Sequence, residues 1–254
     1  MKNRKYYYKS YTDDFVQSKD QQFKLSEDYN WITNNSLNKV LSFLLYKVAT
    51  IFCLCYCKCI LRVNVKNRDI LKKYKKSGYF LFGNHTQTIG DAFIPTYVCS
   101  GRRLYIVVSS ANLGIPFLGR ILPMLGALPI PDSIHGMSKL NKAIHYRVQN
   151  GNPVVIYPEG HLWPYYTGIR PFSSDAFRFP IESDVPVFSL TTTYQKSKFR
   201  QKPKITIYID GPFLADKSLN KKMQRQALRD KVYDTMINRS KNSTYEYIHY
   251  EEEK

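Results

Sequence analysis

The stretch that most constrains this chain is Tyr79–Ile94, YFLFGNHTQTIGDAFI. Tyr79-Phe80-Leu81-Phe82 is an unbroken apolar run of the length of a short buried strand, and Gly83-Asn84 break it. His85 then stands at the strand's end, and Asp91 opens the next apolar stretch. A histidine so placed, with a carboxylate nearby, suits a general base. The carboxylate accepts from the proton-bearing ring nitrogen and fixes the tautomer, and the other nitrogen is free to take a proton from a hydroxyl. The same spacing also fits a plain loop histidine followed by an aspartate at a helix start. These two residues alone do not choose between the readings.

Further strands are expected at Leu104–Val108, Pro153–Tyr157, Val185–Thr193 and Ile205–Ile209. Helical patterns fall between and after them. Ile89–Val98 carries Pro95, and Gly114–Arg120 is a turn leading into a short apolar helix. Ser133–Val148 puts Ile134, Met137, Leu140, Ile144 and Val148 on one face and is closed by Asn150-Gly151. Leu219, Met223, Leu228, Val232 and Met236 mark a terminal amphipathic helix. This alternation predicts an α/β fold, with a central, mostly parallel or mixed sheet flanked by helices.

Upstream, Ser36 is the expected helix N-cap, and Leu37, Val40, Leu41, Leu44, Leu45 and Val48 follow at helical spacing. Val40–Leu61 is 22 residues long, about the ~20 that span a bilayer. Lys47 and Lys58 interrupt it, and a lysine at the centre of a spanning helix costs roughly 2.5–3.5 kcal/mol. The expectation is a helix or helix pair lying on or dipping into one leaflet, with a single span and a buried soluble helix as alternatives. The chain then divides into a polar segment, 1–35, to which the sequence gives no role; an apolar membrane-associating segment, 36–65; and one catalytic domain, 66–254.

The 254 residues include 38 basic and 20 acidic side chains, a net charge of +18. Such a balance calls for an anionic partner: a membrane surface, a nucleic acid or a phosphorylated substrate. With 21 Tyr and 14 Phe, the aromatics suit a membrane interface or stacking on bases. No nucleic-acid-binding motif is visible, and charge alone leaves Val40–Leu61 unexplained. Cys53, Cys55, Cys57 and Cys59 alternate, with Cys99 apart. That is neither a two-pair zinc spacing nor a disulfide framework, so no metal is assigned. Met1–Tyr11 has no apolar core behind it to make a secretory signal, so a reducing, cytoplasmic setting is expected.

Four stretches occur in order: Asn84-His85 with Asp91, Gly114-Ile115-Pro116-Phe117-Leu118-Gly119-Arg120, Tyr157-Pro158-Glu159-Gly160, and Val185-Pro186-Val187. Together, over about 79–194, they resemble the glycerolipid acyltransferases of the lysophosphatidate acyltransferase type. The resemblance implies transfer of a fatty acyl group from a thioester carrier, acyl-CoA or acyl carrier protein, to the hydroxyl of a lysophospholipid, foremost 1-acylglycerol 3-phosphate. It needs no other cofactor. It implies His85 and Asp91 as the catalytic pair and Arg120 as first candidate for the acceptor phosphate. Glu159 would orient a substrate hydroxyl or hold the Arg120 side, and backbone amides near Gly160 are candidates for the oxyanion. Membrane lipids are the implied partners, on the cytoplasmic side, with no nucleic acid.

Two departures stand out. The family usually has four residues between His and Asp, and here there are five, Thr86–Gly90. Either Gly90 lets the loop absorb the extra residue, or Asp91 is turned away from the imidazole. The family's Pro-Glu-Gly usually continues Thr-Arg, and here His161-Leu162 follow. Arg170, in the glycine-hinged stretch Thr167–Phe172, is the candidate replacement for the missing phosphate-facing arginine. The alternative is a solvent-facing loop arginine.

Overall fold

A computed structural model describes residues 4–16, 23–33, 35–198 and 200–253. The parts of the expected polar segment at 1–3, 17–22 and 34 lie outside the described residues. In chain order the elements are β1 (Arg4–Tyr8), α1 (Ser36–Cys55), β2 (Asn64–Lys66), β3 (Phe80–Gly83), α2 (Gly90–Val98), β4 (Tyr105–Ser109), α3 (Leu118–Ile121), β5 (Ala127–Ile130), α4 (Ile134–Gln149), β6 (Val154–Ile156), α5 (Arg178–Ser183), β7 (Val187–Gln195), β8 (Lys204–Phe213), α6 (Lys221–Ser240) and β9 (Ile248–Glu252).

A seven-stranded sheet has the order β2-β8-β7-β3-β6-β4-β5. β7, β3, β6, β4 and β5 run parallel, while β8 is antiparallel to β7 and carries β2 alongside. The fold is therefore α/β with a mixed, mainly parallel sheet. β3 is central, and its apolar run is explained by burial on both faces. Phe80 and Phe82 join one core cluster with Leu140, Ile144, Phe177, Val232 and Met236. Tyr79 and Leu81 join the other with Ile94, Val98, Phe188 and Leu190. Phe82 stacks on Phe177 with ring centroids 4.2 Å apart. Burying each such side chain contributes about 1.5–3 kcal/mol.

The order of strands also makes the crevice. β3 leads through α2 to β4, while its neighbour β6 leads through α5 to β7. The two connections leave on opposite faces, with α2 residues in one core cluster and α5 residues in the other. The loops after β3 and β6 therefore part at the carboxyl edge of the sheet, where open α/β sheets bind ligands.

The apolar segment is one continuous helix. α1 runs on through a wider π-helical stretch, Tyr56–Leu61. Its N-cap is Asn35, which accepts from the N–H groups of Leu37 and Asn38, not the expected Ser36. Only 22% of its most apolar stretch is buried, so it is not a core helix. Tyr46, Thr50, Cys53 and Cys57 face the protein. Leu41, Leu44, Val48, Ile51 and Cys55 lie on the exposed side. Ser42 donates to the Met124 carbonyl (2.7 Å) and Tyr46 to that of Arg102 (2.9 Å), both of which precede strands at the amino edge. At the helix's other end Arg200, in the β7–β8 turn, donates to the Ile60 carbonyl at 2.7 Å. α1 thus crosses one sheet face from the amino edge to the carboxyl edge.

Two expected boundaries change. Asn64 and Val65 already pair with β8, so the sheet begins inside the segment assigned as 36–65. The polar segment is also joined to the catalytic domain. β1 pairs in parallel with β9, Trp31 is in the core and donates to the Pro129 carbonyl, and the Asp13 carbonyl accepts from Trp163 at 2.8 Å.

Candidate active site

The loop after β3 is held on all sides. Asn84 makes two hydrogen bonds to the backbone of Thr192 in β7, donating to its carbonyl (3.1 Å) and accepting from its N–H (2.7 Å). The His85 carbonyl accepts from the Trp163 N–H (3.0 Å), and the Thr86 carbonyl from the Tyr165 N–H (2.9 Å). Thr86 and Gln87 both reach the buried Tyr194 hydroxyl, at 2.7 and 2.9 Å. A backbone so pinned presents the imidazole in one position.

His85 Nδ1 lies 2.7 Å from Asp91 Oδ2. That oxygen also accepts the Gln87 N–H at 2.9 Å, and the Asp91 N–H donates back to the Gln87 carbonyl at 3.1 Å. This reciprocal tie closes the five-residue loop. Gly90 is needed for it, because a Cβ there would meet the Gln87 Cβ at 2.8 Å. Asp91 is in the first turn of α2, where a carboxylate is favoured by the helix dipole. The Asp91 side chain is 5% exposed and that of His85 23%. With Nδ1 engaged, Nε2 is the nitrogen left for a substrate hydroxyl.

Tyr157 supports the pair from the position just after β6. Its ring stacks on the imidazole with centroids 4.8 Å apart, and its hydroxyl donates to the Asp91 carbonyl at 2.7 Å. Burial, and then the charge of Asp91, hold the Tyr157 phenol well above its ordinary pKa, so it stays a neutral donor. Sequence reasoning missed Tyr157, although its place just before Pro158-Glu159-Gly160 was a usable signal. Asn84 and Tyr194 carried no such signal, because their roles depend on contacts across more than a hundred residues.

Glu159 and Arg170 do not lie open to a substrate. Arg170 Nη2 donates to Glu159 Oε2 at 3.0 Å, and both side chains are 0% exposed. The Arg170 guanidinium also donates to the carbonyls of Tyr11 and His161 and lies over the Trp163 ring. Arg170 is therefore not a solvent-facing loop residue, and here its guanidinium is engaged within the protein. Glu159 holds Arg170 and not Arg120, and it accepts the His85 N–H at 3.2 Å. Burial raises its carboxyl above the ordinary value, against the pull of Arg170.

Gly160 has φ +77° and open space beside it. The two amides nearest it are engaged, Gly160 N–H with the Tyr157 carbonyl (3.2 Å) and His161 N–H with that of Glu159 (3.0 Å). They are not free to bind an oxyanion in this arrangement. Arg120 lies on α3, in the connection that leaves the carboxyl end of β4. It is exposed and has no partner among the described residues. Gly119 beside it is required by close approach, since a Cβ there would meet the Leu113 carbonyl oxygen at 1.9 Å. Phe117 is 88% exposed and takes a left-handed φ of +59°, a conformation costly for a bulky residue. Among the described residues there is no group of three or more His, Cys, Asp or Glu side chains that could hold a metal.

An Acyltransferase family model matches residues 62–193, just over half of the 254 residues. The crystal structure of a 1-acyl-sn-glycerophosphate (LPA) acyltransferase, PlsC, from Thermotoga maritima is similar with a TM-score of 0.50 and 14% identity, over 82% of this chain and 98% of that one. At that identity the likeness is one of fold. No curated protein sequence matches.

Proposed function

The chain belongs to the Acyltransferase family, and from that premise we propose that it moves a fatty acyl group from a thioester carrier to the hydroxyl of a lysophospholipid. The acceptor proposed is 1-acylglycerol 3-phosphate, which would give phosphatidic acid. The observation that carries the reading is the 2.7 Å contact between His85 Nδ1 and Asp91 Oδ2, which leaves the partly exposed ring free at Nε2.

In this reading Nε2 accepts the acceptor's hydroxyl proton as that oxygen attacks the thioester carbonyl carbon. Asp91 holds the Nδ1–H tautomer and stabilises the imidazolium. The tetrahedral oxyanion collapses, the C–S bond breaks, and the imidazolium returns its proton to the leaving thiolate. The products are an ester and a free thiol. Arg120 is the proposed phosphate contact, because an exposed, permanently charged guanidinium with no partner among the described residues can bind phosphate through two donors. Acyl-CoA and acyl carrier protein are the candidate carriers.

The exposed apolar side of α1 supports association with membrane lipids; a catalytic domain on the cytoplasmic side is part of the same proposal. The helix lies along the domain with its protein-facing side packed. Phe93 of α2 meets Phe52 and Tyr56 edge-on at 5.7 and 5.4 Å. This geometry favours a helix lying in the interface over one that spans.

Purified protein given labelled acyl-CoA or acyl carrier protein thioester and a panel of lysolipids and glycerol 3-phosphate tests the reading. Label should appear in phosphatidic acid, with release of thiol. Transfer to a different lysolipid alone would replace the acceptor. No transfer to any hydroxyl would remove the function.

A further inference from the structure

The net charge of +18 is not absorbed by the site, and one concentration of it has a defined place. The β7–β8 turn reads Lys196-Ser197-Lys198 and then Arg200-Gln201-Lys202. Lys196, Lys198 and Lys202 are exposed, and none of them has an ion-pair partner among the described residues. β7 runs parallel to β3 with Gly83 opposite Leu190, and continues to Gln195. The turn therefore projects beyond the carboxyl edge, on the side of the sheet that carries His85.

This turn is fastened to the apolar helix. Arg200 donates to the Ile60 carbonyl at 2.7 Å and to the Leu61 carbonyl at 3.4 Å. It satisfies carbonyls that the helix end leaves open, at the negative end of the helix dipole. Lys58 and Arg62, at the same helix end, are also exposed and unpaired among the described residues. A stripe of exposed apolar side chains thus ends in a cluster of uncompensated cations, all at the catalytic edge.

We propose that the β7–β8 turn is a headgroup-binding element for anionic phospholipid, which holds the carboxyl-edge end of α1 at the bilayer surface. The occupant follows from charge complementarity joined to an apolar face. A nucleic acid or an acidic protein would use the lysines and leave the stripe of α1 in water. A bilayer covers both at once, acyl chains against Leu44, Val48 and Ile51 and phosphates against the lysines. The inference rests on the reading of α1 as membrane-facing, and it adds which element fastens the catalytic end of that face to the lipid.

The test is vesicle flotation of the full chain, with neutral phosphatidylcholine vesicles and with vesicles also containing phosphatidylglycerol. The triple variant K196A/K198A/K202A is compared with K221A/K222A/R225A, an equal charge change at the start of α6, near the amino edge. The turn variant should lose affinity for anionic vesicles by on the order of 100-fold, at about 1 kcal/mol per lysine near an anionic surface. It should bind neutral vesicles as the parent does and keep the parent's rate on a short-chain, monomeric acceptor. The α6 variant should lose much less. An unchanged anionic preference in the turn variant, or an equal loss in both variants, would overturn the proposal. So would loss of single-stranded RNA binding with vesicle binding intact. Because flotation reads binding and not transfer, the proposal can fail while the acyltransferase reading stands, and the reverse.

Discussion

Arg170 Nη2 donates to Glu159 Oε2 at 3.0 Å in a pocket closed to water, and the same carboxylate oxygen accepts the backbone N–H of His85 at 3.2 Å. The glutamate of Pro-Glu-Gly is thereby a brace between the loop of the base and a buried arginine. Arg170 in turn reaches the Tyr11 carbonyl, so the start of the chain is tied to the catalytic loop through one guanidinium.

Arg170→Ala should therefore act on stability. Removing one partner of a buried pair leaves an uncompensated carboxylate and costs about 3–5 kcal/mol. Urea unfolding checks this. Arg170→Lys should recover only part of the loss, because an ammonium cannot reproduce the guanidinium's several directed contacts. A variant of parental stability with a raised acceptor KM would instead make Arg170 a phosphate ligand.

Arg120→Ala should do the opposite. The side chain is exposed and unpartnered among the described residues, so stability should move by no more than about 0.5 kcal/mol. A charge-assisted contact is worth roughly 1.5–3 kcal/mol, or roughly 10- to 100-fold in acceptor KM. Steady-state kinetics with each substrate varied separately measures it. An equal change in donor and acceptor parameters would assign Arg120 to both substrates or to neither.

The alternating cysteines provide a ruler for α1. Cys55 and Cys59 are exposed, and Cys53, Cys57 and Cys99 are buried. Burial also lifts the Cys99 thiol to about 11, which suppresses the reactive thiolate at neutral pH. A water-soluble thiol reagent should label Cys55 and Cys59 first, as read by peptide mass spectrometry. Bound vesicles should protect these two. Labelling unchanged by vesicles would place that side of α1 in water.

Much of this architecture was legible in short-range pattern. The apolar run at Tyr79, the helical periodicity of Ser133–Val148 and the strand before Pro158-Glu159-Gly160 each declare themselves locally, and the structure has β3, α4 and β6 there. What was hidden depends on distance along the chain. β5, Ala127–Ile130, contains Ala and Pro and forms an edge strand, where a missing N–H is tolerated. β1 and β9 are rich in Tyr and charge and, among the described residues, pair only with each other, from opposite ends of the chain. The site divided in the same way. The pairing of His85 with Asp91 was legible only as one of two options, because a five-residue loop can turn the carboxylate toward the imidazole or away from it, and the tie through Gln87 that decides it has no local signature. The burial of Arg170 was not legible, because nothing near it in sequence announces that Glu159 and Tyr11 converge on it.

The central claim is that His85, held by Asp91, is the base. The most direct measurement is the single-turnover rate of acyl transfer from a labelled thioester to 1-acylglycerol 3-phosphate, for the parent, His85→Ala and Asp91→Asn, each shown to be folded. Loss of a general base lowers the rate about 10²–10⁴-fold, and Asp91→Asn should fall toward the same range by leaving the wrong nitrogen protonated. Vesicle binding should be unchanged in both variants. A His85→Ala rate within a few-fold of the parent would contradict the account, and the 2.7 Å contact would then be a structural tie within the loop.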